Sequence, residues 1–314
     1  MLTETELKTK LQALAQEDFH LTRREDLAEL IPAMLKHIGA VDSELRDDLI
    51  YTAFDAWILA EPVLDPEQMR GLLPIILDEE HLRFKLGEQD TDSVFTRTFS
   101  VLVLPLLLIR HRSQPVFSDA EIHTIHRQVC DYLEQEKDRR GFVPGKGWAH
   151  GVAHAADALD DLAECAELTQ ADLLEILGVI RRTVCVHSLC YTCGEEERLA
   201  TAVISVLKRK LVPDTALIAW AEGFAEVVLA VPALPEKIWI RGNVKNFLQS
   251  LYFRLGWEGL LHPLFHFDAS GRMEKEIFVE GEAFVFVPPA GRKDDLDRQQ
   301  RVAQQRMGAV ERHG

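Results

Sequence analysis

Residues 141–162 read GFVPGKGWAHGVAHAADALDDL, and this stretch fixes how the rest of the chain is read. A glycine- and proline-rich lead-in runs into a helix. At about 100° per residue, His150, His154, Asp157 and Asp161 fall within roughly 60° of one another on that helix. Trp148, Val152, Ala155, Leu159 and Leu162 form the opposite face, and Gly151, Ala153 and Ala158 let a neighbouring backbone or a ligand approach.

Outward from this stretch, helical periodicity runs from the start of the chain to about residue 256. Leu7, Leu11 and Leu14 mark a first helix. Thr22 with Glu25 has the spacing of a capping box before a second, which Gly39 is placed to end. A third starts at Asp42 or Ser43 and stops at Pro62, and a fourth follows the Asp65-Pro66 pair. The helix near Asp92–Arg110 is apolar on nearly all sides, which places it at the centre of the protein. Arg97 in that helix needs a partner, for which Asp90 or Asp92 is in reach. Ser118, Thr169, Glu195, Pro213 and Pro235 open further helices.

About ten consecutive helices with short turns predict an all-α protein built as an α-α superhelix of antiparallel helix pairs, a HEAT-like solenoid. No sequence signature recurs at a fixed period. Short alternating runs between 257 and 290 predict a small β-hairpin appendage, and the charged, glutamine-rich 291–314 stretch a flexible tail. The expected domains are therefore 1–256, 257–290 and 291–314.

A net charge of −16 excludes a general nucleic-acid binder and electrostatic docking on an anionic membrane. The opening MLTETELKTKLQ lacks an apolar signal segment, and Val101–Ile109 has about half the length that spans a bilayer. Five cysteines, an odd number, are not a disulfide framework and fit a reducing compartment. Together these predict a soluble, cytoplasmic protein.

Three groups of residues carry chemistry. His150, His154 and Asp157 (i, i+4, i+7) suit a divalent transition metal or a metal-free polar pocket, although Gly151 stands where the helical zinc-protease motif has glutamate. Glu196, opening a helix in line with Leu199 and Val203, supplies a fourth ligand or a base. Arg97, Arg139, Arg140, Arg241 and Lys245 serve either as anion clamps or in internal salt bridges. Cys185, His187, Cys190 and Cys193 contain a single knuckle, and buried free thiols explain them better than zinc.

The blocks DSVFTRTFSVLVLPLLL (92–108), YLEQEKDRRGFVPGKGWAHGVAHAADALDDLA (132–163), CGEEERLATAVISVL (193–207) and RGNVKNFLQSLYFRL (241–255) resemble a bacterial family, domain-of-unknown-function family 2785. The resemblance is strongest over 90–255. It implies no activity, but it groups Arg97, Asp138, Arg140, Trp148, His150, His154, Asp157, Glu196 and Arg198 in shared motifs. The expected function is a polar cleft that binds a small polar or anionic ligand, with metal-assisted hydrolysis as one form of it. In that cleft His150, His154, Asp157 and Glu196 act as ligands or acid/base groups, and Arg97, Asp138, Arg140, Trp148, Arg198 and Arg241 bind. The alternative is a non-catalytic helical scaffold for protein partners.

Overall fold

Helix starts in this chain are set by side-chain caps. Thr3, Asp65, Ser118 and Thr169 each accept a backbone N–H while the residue three positions on reaches back, forming capping boxes for α1 (Glu4–Ala15), α4 (Pro66–Ile76), α6 (Asp119–Gln135) and α8 (Gln170–Val184). The expected Thr22/Glu25 box does not form. A 3₁₀ turn at Arg24–Asp26 leads instead into α2 (Leu27–Lys36). The structure, a computed structural model, describes residues 2–260. Of the β appendage expected at 257–290, residues 257–260 only end the last described helix (Glu236–Trp257) and the turn after it; the rest of it, and the tail expected at 291–314, lie outside the described residues.

The remaining helices are α3 (Thr52–Asp55), α5 (Ser93–Ser113), α7 (Gly151–Ala163), α9 (Glu195–Lys208), α10 (Asp214–Ala230) and α11 (Glu236–Trp257). Two π-helical segments, Glu44–Tyr51 and Ala56–Ala60, flank α3 in one continuous run. In this run the neighbours Leu45 and Arg46 are both buried.

From α5 onward the helices form two rows. In one, α5 packs on α7, α7 on α9 and α9 on α11; in the other, α6 packs on α8 and α8 on α10. Helix α7 sits in the middle, between α5 and α9 and against α6 and α8. Its Gly and Ala residues allow this closeness: a Cβ at Gly151 would lie 2.6 Å from the Tyr132 hydroxyl. Helix α5 is long and apolar enough to cross a membrane, yet 78% of its most apolar window is buried inside the protein. It runs helically through Pro105 and is the core helix its composition indicates.

A short antiparallel β pair, absent from the sequence reading, lies in the lead-in to α7. Phe142 faces Trp148 and Val143 faces Gly147. Gly147 has a positive φ of 82° and approaches the Glu44–Tyr51 segment so closely that a Cβ would sit 2.7 Å from Ser43 Cβ.

Candidate functional site

The segment that leads from α6 to α7 is fixed by buried charge. Arg97 in α5 is fully buried and gives its Nε and Nη2 to the Glu136 carboxylate, at 2.6 and 3.0 Å. Its Nη1 donates to Ser93 Oγ at 2.9 Å and to the Phe84 carbonyl at 3.0 Å. The partner is thus Glu136, not Asp90 or Asp92, and Arg97 keeps no face for a ligand. Asp138, also buried, accepts from the Asp90 N–H at 2.9 Å and from Arg140 Nε and Nη2 at 2.8 and 2.6 Å. Arg140 Nη2 also donates to the Thr91 carbonyl. These residues tie the 84–92 connection to the 136–140 segment.

Beyond the β pair the chain turns at His150, whose φ of 52° and ψ of 31° are left-handed. Helix α7 begins only at Gly151, so His150 precedes the helix and the face drawn through it and Trp148 from helical spacing does not exist. The His150 ring stacks on the Trp148 indole instead, 4.4 Å between centroids and 19° between planes. Its Nε2 donates to the Cys193 carbonyl at 2.9 Å.

His154 lies one turn into α7 and is buried, 8% exposed, with its ring edge-on to Phe99 and to His150. Nδ1 is 3.2 Å from the Thr98 carbonyl. A carbonyl only accepts, so Nδ1 carries the proton and Nε2 keeps its lone pair. Burial, reinforced by the nearby charges of His150, Arg198 and Arg46, drives its pKa down to about 3. Among the described residues Nε2 has no hydrogen-bond partner.

Asp157, one turn further, accepts from Arg198 Nη1 at 2.8 Å. Burial outweighs that pairing and holds its pKa up at about 6. Asp161 leaves the stripe and pairs with Arg112 at 2.6 Å. Residue Glu195, not Glu196, faces His150: its Oε1 is 3.7 Å from His150 Nε2 and its Oε2 accepts the Cys193 N–H at 2.9 Å. Gly194, left-handed at φ 83°, starts α9 so that Glu195 turns inward. Glu196 has one buried oxygen with no partner and a pKa raised by burial, and its charge acts on Cys190 and Tyr191. Arg241 lies on α11, half-buried.

Three residues that the sequence reading missed join this region. Arg46 lies over the Phe95 and Phe99 rings, 4.2 and 4.8 Å from their centroids, and donates to the Ala40 and Lys146 carbonyls. Asp47, 2.7 Å from Arg46 Nε and beside the Trp148 backbone, has its pKa pushed up to about 6 by burial. The Tyr51 hydroxyl is held at about 12 by burial and by the neighbouring Asp55 and Asp157. The available signal was Arg46-Asp47-Asp48 next to inward-facing Leu45 and Leu49, a charge run on the apolar arc of a helix.

The metal reading of His150, His154 and Asp157 does not match this geometry. His150 Nε2 is committed to Cys193 and Asp157 to Arg198. Among the described residues no group of three His, Cys, Asp or Glu is placed to hold a metal ion. The same holds for Cys185, His187, Cys190 and Cys193, whose thiols are free.

Residues 82–253 match the model of a family described as a protein of unknown function (DUF2785). That span covers α5 through most of α11 and every site residue except those of the 44–60 run. Searches of curated proteins and of solved structures each found no match.

Proposed function

This chain belongs to the DUF2785 family, and we propose that it binds a small polar ligand rich in hydrogen-bond donors, where the N-terminal half of α7 meets the Glu44–Tyr51 segment and the start of α9. The observation that carries this reading is the His154 imidazole, buried and neutral, with one nitrogen fixed by Thr98 and the other left as an unmet acceptor. The ring keeps some exposure, so a ligand donor can reach this lone pair and hydrogen-bond to it. Asp157, Asp47 and Tyr51 add oxygen acceptors. Trp148, 41% exposed, offers an aromatic edge and face against which a ligand can pack.

With Arg97 and Arg140 spent on internal carboxylates, Arg198 is the cation at this site that stays largely exposed, so donor-rich ligands suit it better than anions. The two rows of helices fit a superhelix of antiparallel pairs, and a buried α5 fits a soluble, cytoplasmic protein. The scaffold reading has one observation in its favour: Leu234 and Ile238 stand 70% and 60% exposed around the α10–α11 turn.

The test is a thermal-shift and ligand-detected NMR screen of polyols, amino sugars, polyamines and small anions, on the wild type and on Asp157→Asn and Trp148→Ala. Donor-rich compounds are expected to raise the wild-type midpoint and to lose that effect in both variants. A response confined to anions, or one that survives both substitutions, removes the proposal.

A further inference from the structure

A groove between α2 and α4 lies apart from the α7 site and almost entirely outside the span that the family model matches. Leu27, Ile31 and Leu35 of α2 and Leu72 and Ile75 of α4 line it with Phe84, around a volume of about 1210 Å³. Small-molecule sites typically occupy about 300–1,000 Å³. At Gly71, on the α4 wall, an added Cβ would meet nothing within 4 Å.

One polar group on this lining is held in a fixed orientation. His81 is 8% exposed, and its Nδ1 lies 2.8 Å from Asp78 Oδ1. The carboxylate accepts, so Nδ1 carries the proton and Nε2 is the nitrogen without a partner among the described residues. Arg24 and Lys36 lie on the lining with Glu25, Asp65 and Glu80, and the Asp65 side chain is already spent on capping α4.

We propose that this groove is a second binding site, which takes an amphipathic monocarboxylic acid with its aliphatic body between α2 and α4 and its carboxyl at His81 Nε2. A carboxyl group meets the ring in either proton arrangement. As the acid it donates its O–H to the Nε2 lone pair; as the carboxylate it accepts from the imidazolium, with Asp78 as the counter-charge on the other nitrogen. A quaternary ammonium head does neither. The site uses none of the α7 residues, so it stands or falls independently of the donor-rich ligand proposed there.

The experiment is calorimetric titration of the full chain with dodecanoate below its micelle concentration, with dodecyltrimethylammonium as the comparator. One dodecanoate per chain is expected, with the ammonium at least tenfold weaker. His81→Leu should weaken dodecanoate at least tenfold. Gly71→Phe fills the groove at a position where the helix has open space, so it should abolish binding while the unfolding midpoint stays at or above that of the wild type. No saturable binding to the wild type, undiminished binding to either variant, or equal binding of the ammonium would each overturn the proposal.

Discussion

Replacing His154 by glutamine should change how the protein responds to acid more than how stable it is at neutral pH. The unfolded chain binds a proton at a histidine pKa of 6.5, whereas the folded ring, buried against Phe99 and the Thr98 carbonyl, resists it down to about 3. Between those values the unfolded state holds more protons. The stability this group contributes is therefore present above pH 6.5 and is lost as pH falls through that window. Each pH unit inside the window is worth about 1.4 kcal/mol, so from pH 7.5 to 4.5 the wild type should lose about 2–3 kcal/mol more than His154→Gln. Asp47 and Asp157 act with the opposite sign. Their folded pKa is raised from 3.8 to about 6, so they add stability as pH falls through that range. Both proteins contain them, and the difference between the two isolates the histidine. Urea unfolding followed by far-ultraviolet circular dichroism at pH 7.5, 6.5, 5.5 and 4.5 measures it. Parallel pH profiles would mean that His154 charges freely in the folded protein. The unmet neutral acceptor on which the ligand reading rests would then not exist.

Two other predictions concern the frame around the site. Arg97→Met or Glu136→Gln alone should cost about 3–5 kcal/mol in urea unfolding, because each strands a buried charge, while the Arg97→Met/Glu136→Met pair should recover most of the loss; a pair as unstable as the single variants would refute this. Gly39→Ala should destabilise by about 3 kcal/mol or more, since its Cβ would lie 2.6 Å from the Thr96 backbone nitrogen, whereas Gly71→Ala, helical and facing open space, should stabilise by about 0.5–1 kcal/mol. Equal midpoints for those two glycine variants would contradict the packing described.

The helices were legible because their signals are local. Asp65-Pro66, Ser118 and Thr169 mark starts through contacts two or three residues away, and the all-apolar run of α5 marks a buried helix without reference to any neighbour. Gly39 was read as a helix stop, yet it is small because Thr96 presses against it from α5, a contact that no window around Gly39 contains. The partner of Arg97 lies 39 residues away in Glu136, while the nearer Asp90 and Asp92 looked adequate. Helical spacing aligned His150 with His154, but the left-handed turn at His150 breaks the helix at that residue. One residue of phase decided between Glu195 and Glu196, within the usual uncertainty of a helix start. Arg46 was hidden because the partners that let its charge enter the core, the Phe95 and Phe99 rings and the Lys146 carbonyl, lie 49 to 100 residues away.

Burial then sorts residues that the sequence motifs could not distinguish. Arg97, Asp138 and Arg140 belong to the same motif blocks as Trp148, His150, His154, Asp157 and Arg198, and by residue type either set could bind a ligand. In the fold, the first set is closed on itself and on Glu136. It fixes the segment whose Arg140 and Gly141 carbonyls receive the His150 and Ala149 N–H groups, at 3.0 and 2.8 Å. Those two bonds help hold the left-handed turn at His150, a conformation that costs about 1–2 kcal/mol in a non-glycine residue. That turn sets the imidazole against Trp148 and beside His154. The arginine–carboxylate lattice therefore acts on the site by positioning. Breaking Arg97–Glu136 should loosen the His150 turn before it alters any group that faces a ligand.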